Sequence, residues 1–488
     1  MMAQRRPRLA ILSLAACLTL FAAFPAAADD SLRAALSDAY RLNQEIKAER
    51  AALMGKDELV PEAKANLWRP HVFFSPQSSL TRTPQTVKTT ILPTNPVPIQ
   101  SYSENQDNTT RDELLQINAT MNIFDSGLTA AQLREAKALI NAERGILTQT
   151  EEQVFQGVAT AYGQIVLNQF LAQYARETEG DTKRLLTEVR TLAQQHFVTV
   201  TSVDQLEEEY LGAVSSYEQA VGAAGAARAQ FLAVVGRPAG KIDGWPPLAP
   251  TPAALAPAVR IAAVDNPQIT TARAELAAAY GAVDFAKAQL LPVLSLLGTL
   301  SREWNKAHFT GNDVLVPSGF PPHLEFTNGA SAMVGFRLTM PLYQGGGAYA
   351  NVRQQYDAVL QNQRTLINAE FAVRGSVESS WRTLAASAAQ YRSASAQVAA
   401  ARRALAGMER QFQDGTETIT DVLTEQRNLS SALATKAQAG YAYFTAVVSF
   451  QVAIGRFTAK NLHLPVPLYD PLDHYQAVKD KWFGFGPN

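Results

Sequence analysis

The chain has 488 residues, 47% of them hydrophobic, with a formal net charge of −1. That length holds more than one domain, and the charge excludes a basic nucleic-acid binder. The sole cysteine, Cys17, stands near the N-terminus, so disulfides and thiolate metal sites have no place in the rest of the chain.

Residues 1–28 read as an export signal. Arg5, Arg6 and Arg8 precede the apolar run Leu9 to Phe24, and Ala26-Ala27-Ala28 stands before Asp29-Asp30. The small-residue rule favours a cut after Ala28, while Leu14-Ala15-Ala16-Cys17 also has the form of a lipoprotein site. Loss of the three arginines takes the net charge from −1 to −4.

The next stretch, 29–70, is helical. Leu32, Leu36, Ala39 and Tyr40 fall at helical spacing, Ser31 is a fitting N-cap, and one helix is expected to Leu67, ahead of Trp68-Arg69-Pro70. Residues 71–124 supply two strands, His71 to Thr81 and Glu113 to Phe124, around a long polar loop with Pro84, Pro93, Pro96 and Pro98. In the second strand Leu115, Ile117, Ala119, Met121 and Ile123 alternate with Gln116, Asn118, Thr120 and Asn122, which separates an apolar side from a polar one.

Residues 125–237 contain no proline after Gly127, as expected of uninterrupted helix. The span Leu128 to His196 would be ~100 Å long, beyond an ordinary domain core, with Ser202 to Gly236 returning over ~52 Å. Pro238 to Pro257 is a proline-rich connector. Residues 258–292 read as one helix, and 293–341 as a second strand pair, Leu294 to Glu303 and Ser331 to Met340. Residues 342–456 repeat the hairpin. Val352, Tyr356, Val359, Leu366, Val373, Val377, Trp381, Leu384 and Phe412 mark a seam at coiled-coil spacing. The tail, 457–488, is read as packed on the helical body and as irregular from Pro465 to Asn488.

Met121 to Arg237 and Met340 to Arg456 align without a gap at one offset (340 − 121 = 456 − 237 = 219). A repeat of this length fixes the architecture: one strand-and-hairpin unit is used twice. Strands of about ten alternating residues suit an outer-membrane wall. Four strands cannot close a barrel, and lipid does not tolerate open edges, so several chains would be needed. With ~10 Å between axes, twelve helices enclose a bore of ~28 Å and eight only ~15 Å.

The sequence resembles the TolC-type outer-membrane efflux channels over essentially the whole mature chain. The likeness rests on Phe124-Asp125-Ser126-Gly127, Leu342-Tyr343-Gln344-Gly345-Gly346, Gly415-Thr416-Glu417-Thr418-Ile419-Thr420-Asp421-Val422-Leu423 and Tyr469-Asp470-Pro471-Leu472-Asp473-His474-Tyr475. It implies an α+β membrane channel: a long coiled-coil helical barrel plus a transmembrane β-barrel, four strands per chain and twelve in a homotrimer. It also implies contact with outer-membrane lipid, a periplasmic adaptor and an inner-membrane transporter, and no cofactor.

By position, the resemblance places Asp421 in an acidic entrance ring and Phe412 in the gate's restraining network. Glu417 stands where the family has a gate arginine, and Thr201-Ser202 where its acidic partner is expected, so the family's ion-pair latch is absent on both sides. Thr424 replaces a second entrance carboxylate. Three Asp421 side chains, with Glu417, would favour cations; the plainer reading is that these acids sit at a helix start, where acids are favoured anyway. Gly415 and Thr416 fit the tip that adaptors touch, with His196 and Phe197 in the matching place of the first copy. A glycine accepts positive φ there more readily than a histidine.

Enzymatic patterns are missing. His71, His196, His308, His323, His463 and His474 show no i, i+4 metal spacing. Gly345-Gly346-Gly347 lacks the Lys-Ser/Thr of a phosphate loop, and Glu207-Glu208-Glu209 reads as a solvated helix face. A periplasmic coiled-coil scaffold or adaptor is the rival reading; it explains the hairpins but not the paired alternating strands.

Overall fold

The computed structural model describes residues 31–91, 100–247, 250–310 and 324–484. The stretch read as an export signal, with Cys17, and the middles of the two polar loops lie outside them. In chain order the elements are α1 (Leu32–Leu42), α2 (Gln44–Asp57), α3 (Leu59–Lys64), β1 (His71–Ile91), β2 (Gln100–Phe124), α4 (Leu128–Gln194) and α5 (Val200–Val235). There follow α6 (Leu255–Asp265), α7 (Pro267–Ala288), β3 (Val293–Thr310), β4 (Leu324–Thr339), α8 (Gly347–Gln413), α9 (Ile419–Ala453) and α10 (Pro471–Val478). Among the described residues no helix is long and apolar enough to cross a membrane.

The chain divides into two compact units. One comprises the chain up to Ile46 with Glu151–Val259 and Ser376–Leu468; the other comprises Lys47–Thr150, Arg260–Gly375 and Tyr469–Asn488.

In the second unit the four strands form one antiparallel sheet in the order β1-β2-β3-β4. The β2–β3 register shifts between Asn122 and Phe124, a bulge at the foot of β2. Phe124-Asp125-Ser126-Gly127 joins β2 to α4, and its chemistry is a helix start. Buried Asp125 accepts from the amides of Gly127 and Thr129, at 3.1 and 2.8 Å, satisfying donors that the first turn leaves unpaired. The repeat keeps the backbone here: Ser126 and Gly345 have φ of 52° and 63°, Gly127 and Gly346 of 85° and 82°. Around the start of α4, Leu53, Val60, Ala136, Ile140 and Leu147 form an apolar cluster, and Tyr469 and Tyr475 from the tail pack against it.

In the first unit the core includes Phe155, Phe231, Phe444 and Phe450, all fully buried. Tyr40, Phe155 and Phe457 meet edge to face, with ring centres 6.3 and 6.2 Å apart. Arg237 and Asp38 pair at 2.6 Å.

The structure corrects several expectations. The helix expected from Ser31 to Leu67 is three helices, although Ser31 does cap the first by accepting from the Ala34 amide. Asn43 is extended (ψ 131°), and its Oδ1 accepts from the amides of Glu45 and Ile46 to begin α2. Asn266 breaks the corresponding helix of the second copy in the same way, capping α7 through the Gln268 amide with Pro267 at its first position. All four strands run longer than read, and Pro84, assigned to a loop, lies within β1 opposite Asp107. β1 is an edge of the sheet, where proline is tolerated. The tail is not wholly irregular: Asp470 caps α10 by accepting from the Leu472 amide.

Candidate functional site

Two places carry the chemistry, the faces of the sheet and the tips of the helical hairpins. The register puts Val72, Phe74 and Leu80 of β1 on one face with Leu115, Ile117 and Ala119 of β2, Leu296 and Leu300 of β3, and Val334, Phe336 and Leu338 of β4. In the single chain this face meets solvent: Phe74 is 63% exposed and Val334 79%. An open apolar patch of this kind marks an interface with a protein or a membrane. Toward the loops, the same face carries cations over rings, Arg302 at 5.0 Å from the Trp304 centre and Lys306 at 5.4 Å from that of Phe326.

The opposite face is a polar ladder. Ser75, Gln116, Ser301 and Ser331 form one cross-strand row, and Ser79, Asp112, Asn305 and Thr327 another. Asn118 Oδ1 accepts from Gln116 Nε2 at 3.0 Å and from Thr299 Oγ1 at 3.2 Å. Ser301 and Ser331 share a hydrogen bond at 2.8 Å, and Asn305 Nδ2 donates to Asp112 Oδ1 at 2.5 Å. Phe73, Leu114, Leu297 and Met333 interrupt this ladder.

At the tips the two copies have one backbone. His196 has φ 63° and Gly415 φ 74°. Each is followed by an amide reaching back to the last turn, Phe197 to Leu192 O and Thr416 to Gln411 O, both at 3.0 Å. This is the left-handed C-terminal turn of a helix. The next helix also begins alike. Ser202 donates its amide to Thr199 Oγ1 at 3.2 Å; Asp421 Oδ2 accepts from the Thr418 amide at 3.1 Å and from its hydroxyl at 2.5 Å. The Thr418 hydroxyl, then its amide, hold the Asp421 carboxyl below its ordinary range.

Beneath the tips Leu186, Val189, Leu206, Leu405, Ile419, Val422 and Leu423 form an apolar knot. Phe412 packs against it, as does Val203, so the residues following Ser202 and Asp421 share one cluster. Glu417, Thr201, His196, Phe197, Gly415 and Thr416 are exposed. Two of the three glutamates read as a solvated face are paired: Glu207 with Arg190 at 2.8 Å, and Glu209 with Arg427 Nε at 2.9 Å. The second pair ties α5 to α9. The sequence reading took Glu209 for a solvated residue and did not name Arg427.

Further along α4, Glu152 is 2% exposed and accepts from the Phe457 amide at 3.3 Å, while Glu151 accepts from that of Ala459. Burial pushes the Glu152 carboxyl up to about 8.

Residues 258–456 match the family model for outer membrane efflux proteins. The chain is 28% identical over 462 residues to the outer membrane efflux protein BepC of Brucella suis, a match covering 94% of this chain and 92% of that one. The chain is thus similar to the outer membrane efflux proteins over nearly its whole length. The fold agrees: the CmeC outer membrane channel of Campylobacter jejuni superposes with a TM-score of 0.69 at 15% identity, over 92% of this chain and 89% of that one. VceC of Vibrio cholerae does so with a TM-score of 0.63 at 17% identity, over 87% and 96%.

The channel's place in the outer membrane explains the sheet. Its apolar face is the one suited to lipid, and its polar ladder suits a watery lumen, the alternation that transmembrane barrels require. Cations beside rings near the rim of the apolar face are the usual interfacial anchors. Among the described residues no three His, Cys, Asp or Glu side chains gather as a metal site.

Proposed function

We propose that this chain is one third of a homotrimeric channel-tunnel that exports substrates from the periplasm or cytoplasm to the exterior. Its partners are a periplasmic adaptor and an inner-membrane transporter, as in tripartite efflux or type I secretion systems. The observation that carries the reading is the sheet, apolar on one face and polar on the other, with β1 and β4 as edges. Such edges require other copies to close a barrel in lipid.

In this reading residues 29–70, 125–237, 258–292 and 342–456 form the periplasmic helical part. Residues 71–124 and 293–341 supply the barrel strands, 238–257 connect the copies, and 457–488 pack on the helices. Asp421 and Glu417 line the entrance, Phe412, Ser202 and Thr201 support it, and His196, Phe197, Gly415 and Thr416 meet the adaptor. The Glu209–Arg427 tie serves where the family's latch residues are replaced. Purification from outer membranes should give a heat-sensitive trimer that forms discrete channels in planar bilayers, and a water-soluble monomer needing no detergent would overturn the reading. Deleting the gene and measuring drug sensitivity and secreted proteins side by side separates the two kinds of cargo.

A further inference from the structure

The tail returns to the helical side of the barrel, at the foot of β1, and it is fixed there. Lys64 Nζ donates to Asp480 Oδ1 at 2.6 Å, and Arg69 Nη1 donates to the Lys481 carbonyl at 3.1 Å. Arg69 lies just before β1, and its guanidinium carbon sits 4.9 Å from the Trp482 ring centre. Trp482 and Phe483 follow, 6.5 Å apart by ring centres, and they are 56% and 88% exposed.

These rings do not belong to a loosely attached end. A few residues earlier the tail buries Val478 and packs Tyr469 and Tyr475 against the helices. The chain thus docks most of its apolar tail and then presents two large rings to the surroundings. A pinned, exposed pair of this kind points to a partner.

The surroundings indicate which partner. Large apolar residues stand exposed at the strand feet: Trp68 beside the end of β2 through its amide bond to Asn122 O, Phe124 closing β2, and Met340 just after β4. One step up β1 the lipid-facing row begins with Val72 and Phe74. Through Arg69 the rings are held at the foot of the strand that carries this row. Arg69, Lys479 and Lys481 outnumber Asp480, which Lys64 already meets. Aromatic rings at headgroup depth with cations beside them are the pattern of a membrane interface, where the cations meet lipid phosphate.

We propose that Lys479 to Phe483 is a lipid anchor. Trp482 and Phe483 enter the periplasmic leaflet of the outer membrane at the foot of the barrel, and Arg69 and Lys481 face its phospholipid headgroups. The proposal rests on the outer-membrane location and is independent of cargo and of the export partners.

The test compares the full-length channel with Trp482→Phe in vesicles of phosphatidylglycerol and phosphatidylcholine, either plain or brominated near the headgroup. The emission present in the first protein and absent in the second is that of Trp482. It should lose most of its intensity in brominated vesicles, while heat-sensitive migration on gels is the same for both proteins. An unquenched Trp482 component overturns the proposal. Benzoylphenylalanine placed at position 483 gives a second reading. On illumination an adduct of lipid mass supports the anchor, whereas a cross-linked pair of subunits, or no adduct, rejects it.

Discussion

The two tip turns share a backbone and differ in side chain, so one substitution in each has the opposite expected sign. His196 and Gly415 sit at φ 63° and 74°. Left-handed φ costs an L-residue about 1–2 kcal/mol. Glycine instead brings a larger entropy loss on folding, roughly 0.5–1 kcal/mol. A Cβ at Gly415 would meet nothing within 4 Å, so Gly415→Ala involves backbone strain alone. The difference leaves a net loss of about 0.5–1 kcal/mol, a two- to fivefold increase in local opening. His196 is exposed, so His196→Gly should give a gain of similar size. Hydrogen exchange on the assembled channel reads both turns directly, because the Phe197 and Thr416 amides bond across them. Phe197 should exchange more slowly in His196→Gly, and Thr416 faster in Gly415→Ala. Shifts of the same sign in both variants would refute the reasoning.

Asp421→Asn keeps an acceptor for Thr418 but removes the charge, so single-channel cation preference should fall; Ser202→Asp, at the same capping position of the first hairpin, should raise it. Thr418 holds the Asp421 carboxyl below its ordinary 3.8, so the preference should persist as pH falls to about 5 and fade only at lower pH. Glu152 has its carboxyl raised from 4.5 to about 8. The stability it gives is full below 4.5 and lost as pH rises through 8, so heat stability should decline across that window by a few kcal/mol at most and decline less in Glu152→Gln. A Cβ at Gly281 would come within 2.9 Å of the Glu135 backbone. Gly281→Val should therefore cost about 1–3 kcal/mol in thermal unfolding, whereas Gly180→Ala, with open space around it, should be neutral or slightly stabilising. Arg427→Ala should raise channel conductance with little loss of heat stability, since an exposed ion pair contributes only ~0–1 kcal/mol; unchanged conductance would remove the Glu209 tie from the entrance.

What the sequence made legible follows from what repeats in it. The hairpins were readable because a proline-free seam at coiled-coil spacing recurs at one offset, and the left-handed tip because a glycine stands at one of its two copies. The helix breaks at Asn43 and Asn266 were not read, because the apolar spacing continues through each cap; only Asn266-Pro267 carried a visible stop. The strands were cut short for a physical reason. Between Gln100 and Arg111 the alternation fades into Ser, Asn, Gln and Thr, the composition expected where a sheet leaves lipid and both faces meet water. The Glu209–Arg427 tie joins residues 218 apart in the chain, and no local pattern announces it. Asp470-Pro471 did announce α10 by cap and first-turn proline, but the irregular reading of the tail passed over it.

The two copies keep backbone geometry and change side chains, and the changes supply the case for assembly. Glu152 of the first copy is buried, while its counterpart at the same offset, Phe371 (152 + 219), is 68% exposed. Phe371 does not stand alone. Tyr349, Tyr356, Leu360, Ile367 and Phe371 are all exposed along α8, separated by seven, four, seven and four residues. That is the spacing of a coiled-coil seam, and such a seam needs a partner helix. Among the described residues these side chains stay exposed, although Lys287 lies over the Tyr356 ring at 4.9 Å. The same unit leaves β4 as a sheet edge, which lipid does not tolerate. An edge strand and an exposed seam on the helix that follows it are the two surfaces that the proposed homotrimer would cover.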